Sequence, residues 1–246
     1  MSMLLTSITY KRFTVGFLLL IQLSCASKGF NRGDLKEQIS VTKPEFNNSE
    51  IKDAFNKKPN LPKSFKLAVY FKSPSPSSLG SQSKLSSVDW RWTEQDKAML
   101  ETIAADLKKD GVVSDVFPLM NSLVVDEDLK SLRLAAAKHQ ADALLVISGA
   151  GQTDRYINKL GWTYALTLPA LFIPGSEVDT LFVTSAALWD VRNEFLYLTA
   201  EAEATTNKTY VAAFGKPDKE LINDAKTSSL IQLKGELTKM IKGTKL

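Results

Sequence analysis

Cysteine and histidine are nearly absent from this sequence of 246 residues, which contains only Cys25 and His139. A single cysteine rules out a disulfide within the chain. A single histidine rules out any metal site that needs a pair of histidines. The commonest hydrolytic and redox sites are therefore excluded before any motif is considered, and we predict no cofactor.

A large excess of charge of one sign is also missing. The chain has 31 Lys and Arg against 27 Asp and Glu. Lys11 and Arg12 lie in a first segment, 1–24, that has no acid, so the remainder has 29 basic and 27 acidic side chains. No cluster of basic residues interleaved with aromatics appears, so we expect no nucleic-acid partner. The content of 44% hydrophobic and 24% charged residues is typical of a soluble globular domain.

No apolar run is long enough to cross a membrane as a helix, which takes roughly 20 residues. The run near the start of the sequence, 13–23, has eleven residues and follows Lys11-Arg12. A positive segment followed by a short apolar run is typical of an export signal. Small residues follow at once, with Ser24 before Cys25. We therefore predict a signal peptide over 1–24.

The segment 22–25 resembles the lipobox of bacterial lipoproteins, in which a small residue precedes the cysteine that receives lipid. The resemblance predicts that Cys25 becomes the lipid-bearing first residue of the mature protein. Gln22 departs from the pattern, because leucine is usual three residues before the cysteine. A signal cut elsewhere, at Ala26 for example, and an uncleaved anchor are the alternatives. Because no aspartate follows the cysteine at once, we expect the outer membrane, facing the periplasm, with the inner membrane and cell-surface display as alternatives.

The polar stretch after the cysteine contains few large apolar side chains. We predict that 25–62 is a lipid anchor with a flexible tether and that 63–242 is the folded domain. A flexible chain of about 37 residues would hold that domain some 30–35 Å from the membrane on average. Only 45–58, between Pro44 and Pro59, has spacing compatible with a short helix.

Strand and helix patterns alternate in the first half of the domain. Strands are predicted at 65–71, 112–120 and 143–147, and the turn 148–151 ends the third. Helices capped by Thr93 and Asp126 lie between them. The order βαβαβ is typical of a layered α/β domain.

The second half is richer in strands. The run 162–173 is long and apolar, while 180–191 alternates and returns through 195–204 as an antiparallel hairpin. The stretch 217–242 has the apolar spacing of a long amphipathic helix. We predict a single α/β domain in which βαβαβ is followed by an antiparallel hairpin and a long C-terminal helix.

Two short motifs could indicate chemistry. The glycines of 149–151 follow an apolar strand, but the dinucleotide fingerprint needs a third glycine where Asp154 stands. A turn that ends the strand explains them better. His139 falls near the end of the second helix, where a capping or surface role is favoured over that of a base.

The cluster Trp90-Arg91-Trp92 has two interpretations. It could form a recognition surface, because Trp and Arg are enriched where proteins bind partners. The favoured interpretation packs one Trp into the core with Arg91 over it. The apolar run 162–173 has a similar pair of interpretations, in which core burial is the default and a partner- or membrane-facing patch is the alternative.

The chain resembles the rhombotarget lipoprotein family from about 65 to 205. The resemblance is carried by WTEQDK at 92–97, ADALLV at 141–146, WT at 162–163, IPG at 173–175, VDT at 178–180 and ALWDV at 187–191. It implies a lipoprotein signal and an envelope address rather than a particular chemistry. The family's Gly-Gly tail, which is read by a rhombosortase, has no match in 239–246, so we do not expect processing by that protease.

These features favour a non-enzymatic envelope lipoprotein that binds or scaffolds another component, with an envelope protein as the expected partner. The alternative is an enzyme of unrecognised type that acts on wall or lipid material. The sequence leaves the oligomeric state open.

Overall fold

The computed structural model describes residues 29–39, 48–74, 86–87, 90–124, 126–161, 172–215 and 217–243. Its helices are α1 (Arg32–Ile39), α2 (Asn48–Asn56), α3 (Glu94–Lys109), α4 (Leu129–Lys138) and α5 (Asp218–Gly243). Its strands are β1 (Phe65–Phe71), β2 (Ser86–Ser87), β3 (Val113–Pro118), β4 (Ala143–Ile157), β5 (Ser176–Asp190) and β6 (Leu196–Tyr210). The predicted signal peptide, Cys25 and most of the predicted strand 162–173 lie outside the described residues.

The strands form one sheet in the order β3-β1-β4-β5-β6, with β2 paired to β4 off this path. Strand β1 is parallel to both β3 and β4, while β5 and β6 return antiparallel. The parallel part is the βαβαβ unit, and the antiparallel part is the hairpin. These features and the C-terminal helix confirm the predicted fold class.

Strand β4 corrects the predicted turn at 148–151, because it continues without a break to Ile157. Its glycines allow the side chains of Phe182 and Ile222 to pack closely against the strand. A Cβ on Gly149 would lie 2.9 Å from the ring of Phe182, and one on Gly151 would lie 2.4 Å from Cδ1 of Ile222. The pattern of two glycines is the same for a turn and for a close approach, so the sequence did not separate the two.

Helices α3 and α5 cover one face of the sheet, named here the α5 face. Its core is built from alternate residues of the strands and from the apolar stripes of the two helices. Examples from β1, α3 and α5 are Phe65, Leu67, Val69, Ile103, Leu107, Leu230, Leu233 and Leu237, each at most 7% exposed. Every second residue of the strands and the residues at 3.6-residue spacing along the helices point into this layer and bury their apolar side chains together.

Helices α4 and α1 cover the opposite face, named here the α1 face. The part under α4 contains Leu132, Ala135 and Ala136 packed with β1 and β4 residues such as Tyr70 and Leu144. The part under α1 contains Leu35 and Ile39, which pack with Ala150, Leu181 and Val183. The domain therefore has three layers, with helices on both sides of the sheet.

The first helix of the βαβαβ unit begins as predicted. Thr93 is the N-cap of α3 and forms a capping box with Asp96. Helix α4 instead begins after Asp128, whose Oδ1 accepts a hydrogen bond from Ser131 N at 2.6 Å. The predicted cap, Asp126, lies two residues too early for this bond. His139 is the C-cap residue of α4 and its side chain is exposed.

Candidate functional site

The chain downstream of Cys25 contacts the sheet within a few residues. Gly29 N donates a hydrogen bond to Asp154 Oδ2 at 3.2 Å, and Asn31 N donates to Gln152 Oε1 at 2.8 Å. Asp154 and Gln152 belong to β4 and are only 4% and 7% exposed. The predicted anchor, Cys25, thus lies four positions before a residue that is hydrogen-bonded to β4.

Helix α1 continues this attachment. Leu35 and Ile39, one turn apart, are 1% and 6% exposed against the sheet. At the start of the helix, Arg32 donates through Nε and Nη2 to both carboxylate oxygens of Glu203 at 3.1 and 3.0 Å. The hydrogen bond from Arg32 and its charge hold the pKa of Glu203 below its ordinary value. Residues 29–39 therefore lie on the α1 face, and the 30–35 Å estimate, which assumed a flexible chain throughout 26–62, does not apply to them.

The structure turns both indoles of the Trp90-Arg91-Trp92 cluster inward. Trp90 is 9% exposed and meets the ring of Phe182 edge-on, with 4.8 Å between the ring centroids. Trp92 is half-buried, and its Nε1 donates to Lys72 O at 2.8 Å. The side chain of Arg91 is exposed. Of the three residues, Arg91 alone presents its side chain fully to solvent.

A buried ion pair lies directly below this cluster. Lys226 Nζ of α5 donates to Asp96 Oδ2 at 2.6 Å and to Arg91 O at 2.8 Å. Asp96 Oδ2 also accepts from Thr93 N at 2.7 Å, which closes the cap of α3. Lys226 and Asp96 are 1% and 5% exposed. One lysine thus connects α5, the start of α3 and the tryptophan segment.

A second polar contact continues along α5. Thr184 Oγ1 of β5 lies 2.7 Å from Ser229 Oγ, which also donates to Ala202 O of β6 at 2.9 Å. Sequence reasoning missed Lys226 and Ser229. Their positions within the apolar stripe of α5, at helical spacing from Ile222 and Ala225, were a signal that could have identified them.

Two buried polar atoms, Ser148 Oγ of β4 and Trp189 Nε1 of β5, have no hydrogen-bond partner within the described part of the chain. Both lie on the α1 face, since the strand alternation places Ser148 with Leu144 and the Trp189 side chain packs on the core under α4. Elsewhere on the sheet, burial raises the pKa of Tyr197 to about 12, and its hydroxyl donates to Asp190 Oδ2 at 2.8 Å.

The described ranges contain no group of three acidic, cysteine or histidine residues placed to hold a metal ion. Within the same ranges, none of the helices has the length and apolar character needed to span a bilayer. The voids at the α5 face are small and lie between α3, α5 and the sheet, lined by apolar residues such as Phe71, Ile103 and Leu237.

No protein-family model matches the sequence, and no curated protein matches it. Solved structures with some likeness include lipoprotein GNA1162 from Neisseria meningitidis, at 15% identity over 73% of this chain and 99% of that chain, with a TM-score of 0.33. A minor lipoprotein from Acinetobacter baumannii has 12% identity over 74% of this chain and 92% of its own, with a TM-score of 0.33. The PelC dodecamer from Paraburkholderia phytofirmans has 13% identity over 72% and 91%, with a TM-score of 0.28. Likeness at this level assigns neither a family nor a function, and the rhombotarget resemblance stays a prediction.

Proposed function

We propose that this protein is a bacterial envelope lipoprotein, held on the outer membrane by acyl chains on Cys25, whose domain is a non-enzymatic binding or scaffold module. The observation that supports it best is the placement of Cys25. The cysteine ends a signal-like apolar run and stands four residues before Gly29, which is already bound to Asp154 of β4. Lipid at Cys25 would therefore be attached almost directly to the folded domain.

The buried polar side chains support a structural rather than a catalytic role for the α5 face. Asp96 and Lys226 satisfy each other and the cap of α3, while Thr184 and Ser229 join α5 to the sheet. Groups used in this way hold a fold together and are shielded from substrate. Recognition of an envelope protein is then a property of the surface, and Arg91 is the member of the predicted recognition cluster that is available for it.

The lipid anchor is tested by Cys25→Ala, with Ser27→Ala as the matched control. The wild type and the control should carry acyl chains by intact-mass measurement and should partition into detergent. The Cys25→Ala variant should lack both properties, because the thiol that accepts the lipid is gone. A wild-type mature protein whose mass shows no acyl chains would contradict the proposal.

The scaffold role is tested by crosslinking and capture of the lipidated protein from cells. Arg91→Ala is compared with Lys130→Ala, which removes another exposed cation, from α4. A specific envelope protein should be captured by the wild type and the Lys130→Ala variant, and about tenfold less by the Arg91→Ala variant. Equal capture by all three would exclude Arg91 from recognition, and capture of no specific partner would count against a scaffold.

A further inference from the structure

Four exposed apolar side chains lie near one end of the sheet. Strands β4 and β6 end there and β5 begins there, since Ile157 is opposite Ser176 and Ser176 is opposite Tyr210. The exposed side chains, named here the tip patch, are Ile157 (47%), Leu160 (50%), Phe172 (75%) and Phe214 (80%). Lys159 lies between the first two and is exposed as well. Apolar residues gathered in this way on a surface mark a site of contact with a partner or a membrane.

The turn after β4 holds part of the tip patch in place. Asn158 N donates to Gly175 O at 3.0 Å, and Asn158 Nδ2 donates to Pro174 O at 3.0 Å. Leu160 N in turn donates to Asn158 Oδ1 at 2.9 Å. Three hydrogen bonds thus fix the backbone on either side of Lys159. The outward direction of Ile157 and Leu160 is therefore a property of the folded turn.

Gly29, the first described residue after Cys25, lies near the same end. Gly29 is bound to Asp154, which precedes Ile157 by three residues in β4, a distance of about 10 Å along a strand. Three residues stand between Cys25 and Gly29, and the four Cα-to-Cα steps of an extended chain span at most about 14 Å. A lipid at Cys25 would therefore be attached within roughly 30 Å of Ile157.

We propose that the tip patch lies on the surface of the lipid bilayer that holds the acyl chains of Cys25. The inference rests on the proposed lipidation and adds an orientation to it. A short linker gives the patch a high effective concentration at the membrane, so that weak apolar contacts suffice to hold it there. Lys159 suits the same surface, because its stem lies along apolar groups while its ammonium reaches the lipid headgroups. The domain then stands on the membrane with β4, β5 and β6 rising from it.

The orientation is tested with lipidated protein in phosphatidylethanolamine–phosphatidylglycerol vesicles that contain a lipid with a nitroxide near its headgroup. A thiol-reactive fluorophore is placed by Lys159→Cys or by Lys138→Cys, since Cys25 is occupied by lipid. Position 138 ends α4 near the start of β4, which lies roughly 45–50 Å along the strand from the tip. We expect at least threefold stronger quenching at position 159 than at position 138.

Matched substitutions separate the tip patch from apolar surface in general. Ile157→Ser, Leu160→Ser and Phe172→Ser together should reduce quenching at position 159 toward the level at position 138. Leu134→Ser with Ile231→Ser, which removes two exposed apolar side chains on α4 and α5, should leave it unchanged.

Intact-mass measurement of each sample distinguishes the two proposals. Protein without acyl chains would contradict the proposed function itself. Acylated protein with equal quenching at both positions would overturn the orientation alone, and the tip patch would then face a protein partner.

Discussion

The two faces of the sheet are closed in different ways. On the α5 face, one helix of 26 residues contributes nine buried side chains, and its two polar members, Lys226 and Ser229, have partners. On the α1 face, α1 and α4 have eight and ten residues and together bury five side chains. That face also contains Ser148 Oγ and Trp189 Nε1, the two buried side-chain atoms without a hydrogen-bond partner among the described residues. On the α5 face the long helix itself contributes buried polar contacts with the sheet and with α3. On the α1 face the two short helices bury only apolar side chains, and the polar contacts with buried strand residues come from the chain just before α1.

The largest effect is expected from breaking the ion pair of the α5 face. Lys226→Met keeps the volume of the side chain but leaves the carboxylate of Asp96 buried without its cation. Loss of one partner from a buried pair costs about 3–5 kcal/mol. We expect the free energy of unfolding in urea to fall by that amount.

A second substitution in the same chain checks the cause. Asp96→Asn removes the charge while keeping a side-chain oxygen that can accept from Thr93 N, so the double variant should regain most of the loss. As a surface control, Lys242→Met removes the exposed contact between Lys242 and Asp110, which also joins α5 to α3, and should change the midpoint little. A double variant no more stable than Lys226→Met would show that the loss comes from packing.

A smaller effect is expected on the α1 face, where Leu35→Ala tests whether α1 is part of the cooperative domain. Leu35 is 1% exposed, and truncation of a buried leucine costs at least about 2 kcal/mol. Leu134→Ala, on an exposed position of α4, should cost much less. The opposite result would be an unchanged unfolding midpoint for Leu35→Ala together with tryptic cleavage of the native wild type at Lys36. It would mean that α1 detaches from the sheet before the rest of the domain unfolds.

The same contrast explains what the sequence could predict. Helix α5 and the β5–β6 hairpin are long, and their apolar residues recur with a regular period. Such patterns are easily distinguished from the chance spacing of apolar residues. Helix α1 buries only Leu35 and Ile39 among polar residues, and two apolar residues one turn apart do not distinguish a docked helix from a tether. Its position depends on Asp154 and Gln152, which are more than a hundred residues away in the chain.

The candidate site was predicted only in part. Trp90, Arg91 and Trp92 were identified as a cluster, but their directions depend on Phe182 and α5, which come later in the sequence. The tip patch could not be foreseen, because exposure of an apolar residue is decided by what the fold leaves uncovered. The role of Cys25 rests on local sequence alone and stays a prediction.

The smallest effects are expected from substituting alanine for two glycines on the α5 face. One substitution should destabilise the protein and the other should stabilise it. Gly151→Ala places a Cβ against Ile222 and Phe182, and overpacking of this kind costs about 1–3 kcal/mol. Gly235→Ala adds a Cβ that would meet no atom within 4 Å apart from its chain neighbours and the nearby backbone of α5, so the helix should gain about 0.5–1 kcal/mol. Both free energies are measured by urea unfolding. Equal changes in the free energy of unfolding for the two substitutions would contradict this assignment of packing strain to Gly151 and helix propensity to Gly235. Destabilisation by Gly151→Ala alone would confirm that the second glycine of 149–151 serves close packing between β4 and α5.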